Sequence, residues 1–251
     1  MYQTLLENWL PDICQSPDRH VQAEALGQTG KQHHHLGNFR VALPYFQQSL
    51  QISQEIGDKA GEGTTLNNIS QIYDARGDYD TALRYLQQVL QIMREIGDKA
   101  HEGGTLNNIS QIFKARGDYD TALRYLQQSL QISQEIGDKS GEGTTLNNIS
   151  QIYAARGDYD TALRYLQQSL QIRQEIGDVA GLCATLFNMG HIHAQNNEIN
   201  EAVSAWVTVY QLAKPRQLAQ ALQALADLAP QLGLPPGLDG WEMLSQRRGQ
   251  S

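Results

Sequence analysis

The sequence predicts an all-α protein, a solenoid of stacked helix pairs with further helices at both ends. Three observations carry this expectation. The string GDYDTALRYLQQ starts at Gly77, Gly117 and Gly157, and TLNNISQI starts at Thr65, Thr105 and Thr145, so the chain repeats every 40 residues. Inside each period, apolar and small residues recur at helical spacing. Gly-Asp pairs fall twice per period, where one helix has to stop and the next has to start.

Taken in chain order, Tyr2, Leu5, Leu6, Trp9, Leu10 and Ile13 form an amphipathic stripe. They predict a capping helix over residues 1–17. Five repeats follow, at roughly 18–57, 58–97, 98–137, 138–177 and 178–214. The first helix of a repeat shows its face in Leu66, Ile69, Ser70 and Tyr73; the second shows it in Tyr79, Ala82, Leu83, Leu86 and Leu90. Gly77 can take the left-handed conformation that closes one helix, and Asp78 can offer its carboxylate to the free amides of the next. Gly57-Asp58, Gly97-Asp98, Gly137-Asp138 and Gly177-Asp178 repeat this device at the other end, and Asp18 extends the series one step back. Connections this short force antiparallel neighbours.

Beyond the repeats, Leu218, Leu222, Leu225 and Ala229 predict a helix outside the Gly-Asp register. Pro235-Pro236 break the chain, and Trp241, Met243 and Leu244 are expected to fold back, giving capping helices over 215–246. The tail 247–251 is expected to be disordered.

The pattern resembles the tetratricopeptide repeat family. Leu66, Ile69-Ser70, Tyr73, Ala82 and Leu86 stand at the family's large, Leu-Gly, Tyr, Ala and Phe positions, and Gly30 and Gly190 keep the family glycine. The family's helix-ending proline is replaced by Gln54, Arg94, Gln134 and Gln174, so the second helix can run on to Ile56, Ile96, Ile136 and Ile176. This longer repeat is similar to those of kinesin light chains and Pins-type polarity adaptors. HEAT repeats have a comparable length, but the small residues Ser70 and Ala82 fit them poorly. The resemblance implies a right-handed superhelical α-solenoid whose first helices line a concave groove.

Composition excludes several functions. No apolar run approaches the roughly 18–20 residues of a membrane span, and Met1–Glu7 lacks the basic, apolar character of a signal peptide, so a cytoplasmic protein is expected. A net charge of −8 argues against nucleic-acid binding. Cys14 and Cys183 lie far apart in sequence and lack the paired spacing of a zinc or redox motif.

Nothing in the sequence carries an enzyme signature: phosphate loop, nucleophile elbow and zinc-protease helix are all missing. No enzyme activity, metal or cofactor is expected. His33, His34 and His35 are adjacent, so on a helix they point about 100° apart and cannot easily share one ion. His33, standing at the Tyr73 position, is expected to pack, and its two neighbours to be solvated. Asp80–Arg84, Asp120–Arg124 and Asp160–Arg164 have the spacing of helical surface pairs worth a few tenths of a kcal/mol.

The resemblance implies a ligand-facing set in the groove. It maps onto Asn67, Asn68, Gln71 and Asp74; Asn107, Asn108, Gln111 and Lys114; Asn147, Asn148 and Gln151; then Asn188 and His191 beside Phe187, with Lys31 beside Gly27 and Gln28 in the first repeat. A carboxamide both donates and accepts, so it can satisfy a peptide backbone whatever its side chains. Helices spaced roughly 8–10 Å apart would meet an extended chain rising about 3.3 Å per residue at about every third residue. The asparagine amides are expected to be left for a ligand. Lys31 stands nearly alone as a cation, so the family's clamp for a terminal carboxylate is not implied.

The expected function is a non-catalytic adaptor holding a protein or extended peptide segment. Two alternatives stay open: a homo-oligomer assembled by repeat stacking, and a regulator of a separately encoded effector. The middle repeats match even at Gln87 and Gln88 and their equivalents, so the asparagines are also what recent duplication would copy.

Overall fold

A computed structural model describes residues 18–248. The described residues form 12 α-helices and one short 3-10 helix, with no strand among them. The first six are α1 (Arg19–His35), α2 (Phe39–Ile56), α3 (Lys59–Ala75), α4 (Tyr79–Ile96), α5 (Lys99–Ala115) and α6 (Tyr119–Glu135). Then come α7 (Lys139–Ala155), α8 (Tyr159–Glu175), α9 (Val179–Gln195), α10 (Ile199–Ala213) and α11 (Ala219–Leu228). The 3-10 helix (Ala229–Leu232) and α12 (Asp239–Arg248) end the described chain. The capping helix expected over residues 1–17, and Cys14 with it, lies outside the described residues.

Two compact units divide the chain after Tyr125. In the first, α1 packs on α2 and α3 on α4, while α2 meets α3 and α4 meets α5. In the second, α7 packs on α8 and α9 on α10, and both α11 and α12 rest on α10. First helices also touch successive first helices, α1 against α3 and α7 against α9, which sets their outward faces side by side.

The helix ends follow from the Gly-Asp pairs. Gly57 and Gly77 sit at φ +72° and +74°, a conformation that costs glycine least. The next residue caps the following helix: Asp58 accepts from the Gly61 amide at 2.9 Å and Asp78 from Thr81 at 3.2 Å. Such a cap contributes about 0.5–2 kcal/mol. Where the series loses its glycine, Asn197 and Gln217 take positive φ instead.

Expected face residues are buried: Leu66, Ile69, Ser70, Ala82 and Leu86 all lie in the interior, joined by Val89, Ile92 and Met93. A ring stack recurs inside the helix pairs, Tyr73 on Tyr85 at 5.6 Å, Phe113 on Tyr125 at 5.5 Å and Tyr153 on Tyr165 at 5.4 Å. His33 packs on Tyr45 in the same way at 5.7 Å, as its position predicts.

Four expectations need correction. His34 is half-buried against the Phe39 ring rather than solvated, because the turn into α2 brings that ring back over it. The helices α6 and α8 stop at Glu135 and Glu175, one residue before the expected isoleucines. Asp80 meets Arg116, while Arg84 lies over the Tyr85 ring, and Arg124 and Arg164 donate to Thr121 and Thr161. Trp241 is fully buried and donates to the Leu225 carbonyl at 2.7 Å, and Leu244 packs beside it, but Met243 faces solvent.

A polar device recurs that helical periodicity did not reveal. Glu62, Glu102 and Glu142 are buried one turn into α3, α5 and α7. Glu102 accepts from Arg94 at 2.8 Å and Lys99 at 2.7 Å; Glu62 and Glu142 use Gln54 with Lys59 and Gln134 with Lys139. Burial pushes each carboxyl up, yet the hydrogen bonds and nearby charge outweigh it and leave all three below the ordinary glutamate value. The family proline position is thus occupied by a side chain that helps pin the next helix.

Candidate functional site

Each first helix starts from a capping aspartate, and its packed stripe fixes which residues face away from the second helix. In the first unit this leaves Asn67 and Asn68 on α3 and Asn108 on α5 half-buried, with Gln71 exposed and Gln111 half-buried a turn further on. Asn108 Nδ2 donates to Asn67 Oδ1 at 2.9 Å. Asn107 is buried, and its Nδ2 reaches the Gly103 carbonyl at 3.4 Å. The second unit repeats the bond, with Asn188 Nδ2 donating to Asn147 Oδ1 at 3.2 Å. Asn148 and Gln151 are half-buried there.

These bonds correct the expectation that the asparagine amides are all left for a ligand. Neighbouring first helices touch, so a short carboxamide reaches the next one before anything else does. One bond does not exhaust a carboxamide, which carries two donors and an acceptor oxygen with two lone pairs. The face both braces the helices and keeps capacity for a further partner.

A cleft of about 320 Å³ opens on the first unit, with Gly27, Gln28 and Lys31 of α1 and Thr64 and Asn68 of α3 in its lining. The cleft thus brings Lys31 and Asn68 together. It adds Glu24, His20 and Asp58, which sequence reasoning passed over because each sits where other repeats carry a small residue or a cap. A second cleft of about 360 Å³ lies in the second unit between α9 and α11. Phe187, Ala184, Leu218 and Ala221 make it mainly apolar, and Asn188 stands in its wall.

The remaining expected residues differ in setting. Asp74 lies in the last turn of its helix with its side chain largely exposed, yet partial burial of the carboxyl pushes it up. Lys114, its equivalent on α5, is half-buried, and that burial lowers its ammonium. The His191 ring is held edge-on by Phe187 at 4.7 Å and Trp206 at 5.3 Å. Burial there lowers its pKa and favours the neutral imidazole. The Cys183 thiol is buried, and burial pushes its pKa up, which holds it as an unreactive thiol. Among the described residues no cluster of His, Cys, Asp and Glu is placed to hold a metal ion, and no helix is long and apolar enough to cross a membrane.

The tetratricopeptide repeat pattern matches residues 21–95, 102–175 and 142–214, which together span most of the chain. The chain belongs to the tetratricopeptide repeat family. No match is found by sequence among curated proteins. Several solved structures share the fold. BtubC (BKLC) from P. vanneervenii aligns with a TM-score of 0.69 at 20% identity, covering 84% of this chain and 92% of that one. The Rap protein complexed with Competence and Sporulation Factor aligns at 0.74 and 15% identity over 88% of this chain, which spans 62% of the Rap chain. The nearly identical TPR-like repeats of a Podosopora anserina kinesin light chain align at 0.62 and 15% identity, covering 81% of this chain and 100% of that one. The resemblance to kinesin light chain repeats drawn from the long second helix therefore holds at the level of fold. In tetratricopeptide terms, the paired asparagines lie on the first helices and the family glycines Gly30 and Gly190 lie against Phe46 and Trp206.

Proposed function

We propose that this chain is a non-catalytic binding module that holds an extended segment of another protein along the first-helix face of its tetratricopeptide repeats. The observation that carries the proposal is the polar cleft of about 320 Å³ in the first unit, where Lys31 and Asn68 converge beside the Asn67–Asn108 rung. Such a face offers donors and acceptors without reactive groups, and an extended chain presents the same two functions along its length. The fold shared with a Rap protein that is complexed with Competence and Sporulation Factor supports a ligand-holding role. The half-buried Asn68, Asn108 and Asn148 and the flanking Gln71, Gln111 and Gln151 would provide backbone contacts, with Asp74 and Lys114 setting preference.

The test is selection of short random peptides displayed on phage against the full chain. Substitutions on the first-helix face, Gln71→Ala, Gln111→Ala and Asn148→Ala, should weaken the enriched peptides. Gln87→Ala and Gln88→Ala, on the exposed side of α4, should leave them unchanged. If no peptide is enriched and light scattering shows self-association, the proposal gives way to assembly through repeat stacking.

A further inference from the structure

Resting on the proposed binding role, we infer that one gap in the asparagine ladder, opened by Gly27, is where a partner's main chain docks: Asn68 takes a peptide group of an extended segment there. The rungs follow a fixed rule. Asn108 bonds back to Asn67 and Asn188 bonds back to Asn147, each across a separation of 41 residues. The same step back from Asn68, 68 − 41, lands on Gly27, which has no side chain to offer. Asn68 accordingly has no side-chain hydrogen bond among the described residues.

Neither packing nor backbone conformation demands glycine at this position. A Cβ at Gly30 would lie 2.6 Å from the Phe46 ring, and one at Gly190 would lie 2.3 Å from Trp206, so those two are steric necessities. A Cβ at Gly27 would meet only the Ser49 hydroxyl, at 3.4 Å, an ordinary contact, and the residue lies inside the regular helix α1. Glycine inside a helix costs about 1 kcal/mol relative to alanine. What its absence of side chain provides is the cleft of about 320 Å³ onto which Asn68 and Lys31 open.

The occupant follows from what is missing. The rule calls for a carboxamide oxygen opposite Asn68, and a main-chain peptide unit carries the same oxygen with an N–H beside it. The cleft lining holds both signs of charge, Lys31 with Glu24 and Asp58. A neutral dipolar group suits that field better than a free carboxylate or ammonium does. The Asn68 amide can donate to the peptide carbonyl while its oxygen accepts from the peptide N–H.

Gly27→Asn supplies the missing rung from within the protein and so competes with the ligand. Gly27→Ala removes the glycine but leaves Asn68 open. Peptides enriched from the random phage library on the full chain should bind Gly27→Asn roughly tenfold or more weakly, and Gly27→Ala within about threefold of the original. Both variants should melt at or above the temperature of the original chain, which separates lost docking from lost folding. Enriched peptides that bind Gly27→Asn as well as the original chain would overturn the docking point while leaving the binding role standing. Equal loss in both variants would overturn it too, by showing that bulk and not the amide matters. A library that yields no binder would overturn the binding role itself.

Discussion

The Asn108 side-chain amide donates to the Asn67 carboxamide oxygen at 2.9 Å, joining two first helices across one repeat step. Both side chains are half-buried, so removing one leaves the other short of a partner in a place that water reaches only in part. Asn67→Ala and Asn108→Ala should each lower stability, even though alanine is the better helix former. A double-mutant cycle should give a coupling of about 0.5–1.5 kcal/mol. Strictly additive losses in denaturant melts would show the bond contributes nothing.

How much of this was legible beforehand depends on what repeats. Forty-residue identity, the Gly-Asp punctuation and the apolar stripes specify helix pairs, and Asp58, Asp78 and their equivalents cap them as read. The site was visible only as positions. That Asn108 reaches Asn67, and that Gly27 leaves Asn68 without such a reach, depends on the spacing between stacked helices, which no single helix encodes. The buried glutamates were missed for a related reason. Glu62 looks like a surface residue in the first turn, and its burial becomes tolerable only once the side chain of Gln54, arriving from the preceding helix, joins Lys59 in bonding it.

Those glutamates predict an acid response. Folded-state pKa values below the ordinary glutamate range of about 4.3 mean the carboxylates stabilise the fold above that value. The contribution is lost as pH falls through the lowered folded values. Glu102→Gln removes the charge that Arg94 and Lys99 contact. It should cost about 1–3 kcal/mol at pH 7. It should also flatten the fall in melting temperature on the acid side of about pH 4.5. A variant that loses stability with acid as steeply as the original chain would show that Glu102 is not part of this response.

Two kinds of glycine should separate experimentally. At Gly30 and Gly190 an added methyl meets ring atoms of Phe46 and Trp206 well inside contact distance. Gly30→Ala and Gly190→Ala should therefore destabilise by about 1–3 kcal/mol through overpacking. Trp206 also donates to the Phe187 carbonyl at 3.1 Å, and Gly190→Ala should strain that bond, with a blue or red shift in tryptophan emission marking the moved ring. Unchanged melts and emission would show that these rings shift at no cost.

Asp74 and Lys114 differ in sign at equivalent sites of near-identical repeats, so a partner crossing both meets opposite fields within the first unit. Neither charge is fully hydrated. Burial raises the Asp74 carboxyl and lowers the Lys114 ammonium, so each favours its neutral form more than it would in water. For Asp74 the sign is clear: a raised folded-state pKa contributes stability below the ordinary aspartate value that is lost as pH rises through the folded value. Asp74→Asn should therefore be more stable than the original chain at neutral pH and lose that advantage in acid. Exchanging the two residues, Asp74→Lys with Lys114→Asp, keeps the net charge and inverts the local field. Peptides enriched on the original chain should carry a basic group towards Asp74 and an acidic one towards Lys114. On the exchanged chain they should bind more weakly at low salt, with affinity that rises rather than falls as salt is added, because screening now relieves repulsion. Titrations at several salt concentrations read this directly. Affinity and salt slope unchanged by the exchange would assign Asp74 and Lys114 to neutral variation and leave specificity to the carboxamides around them.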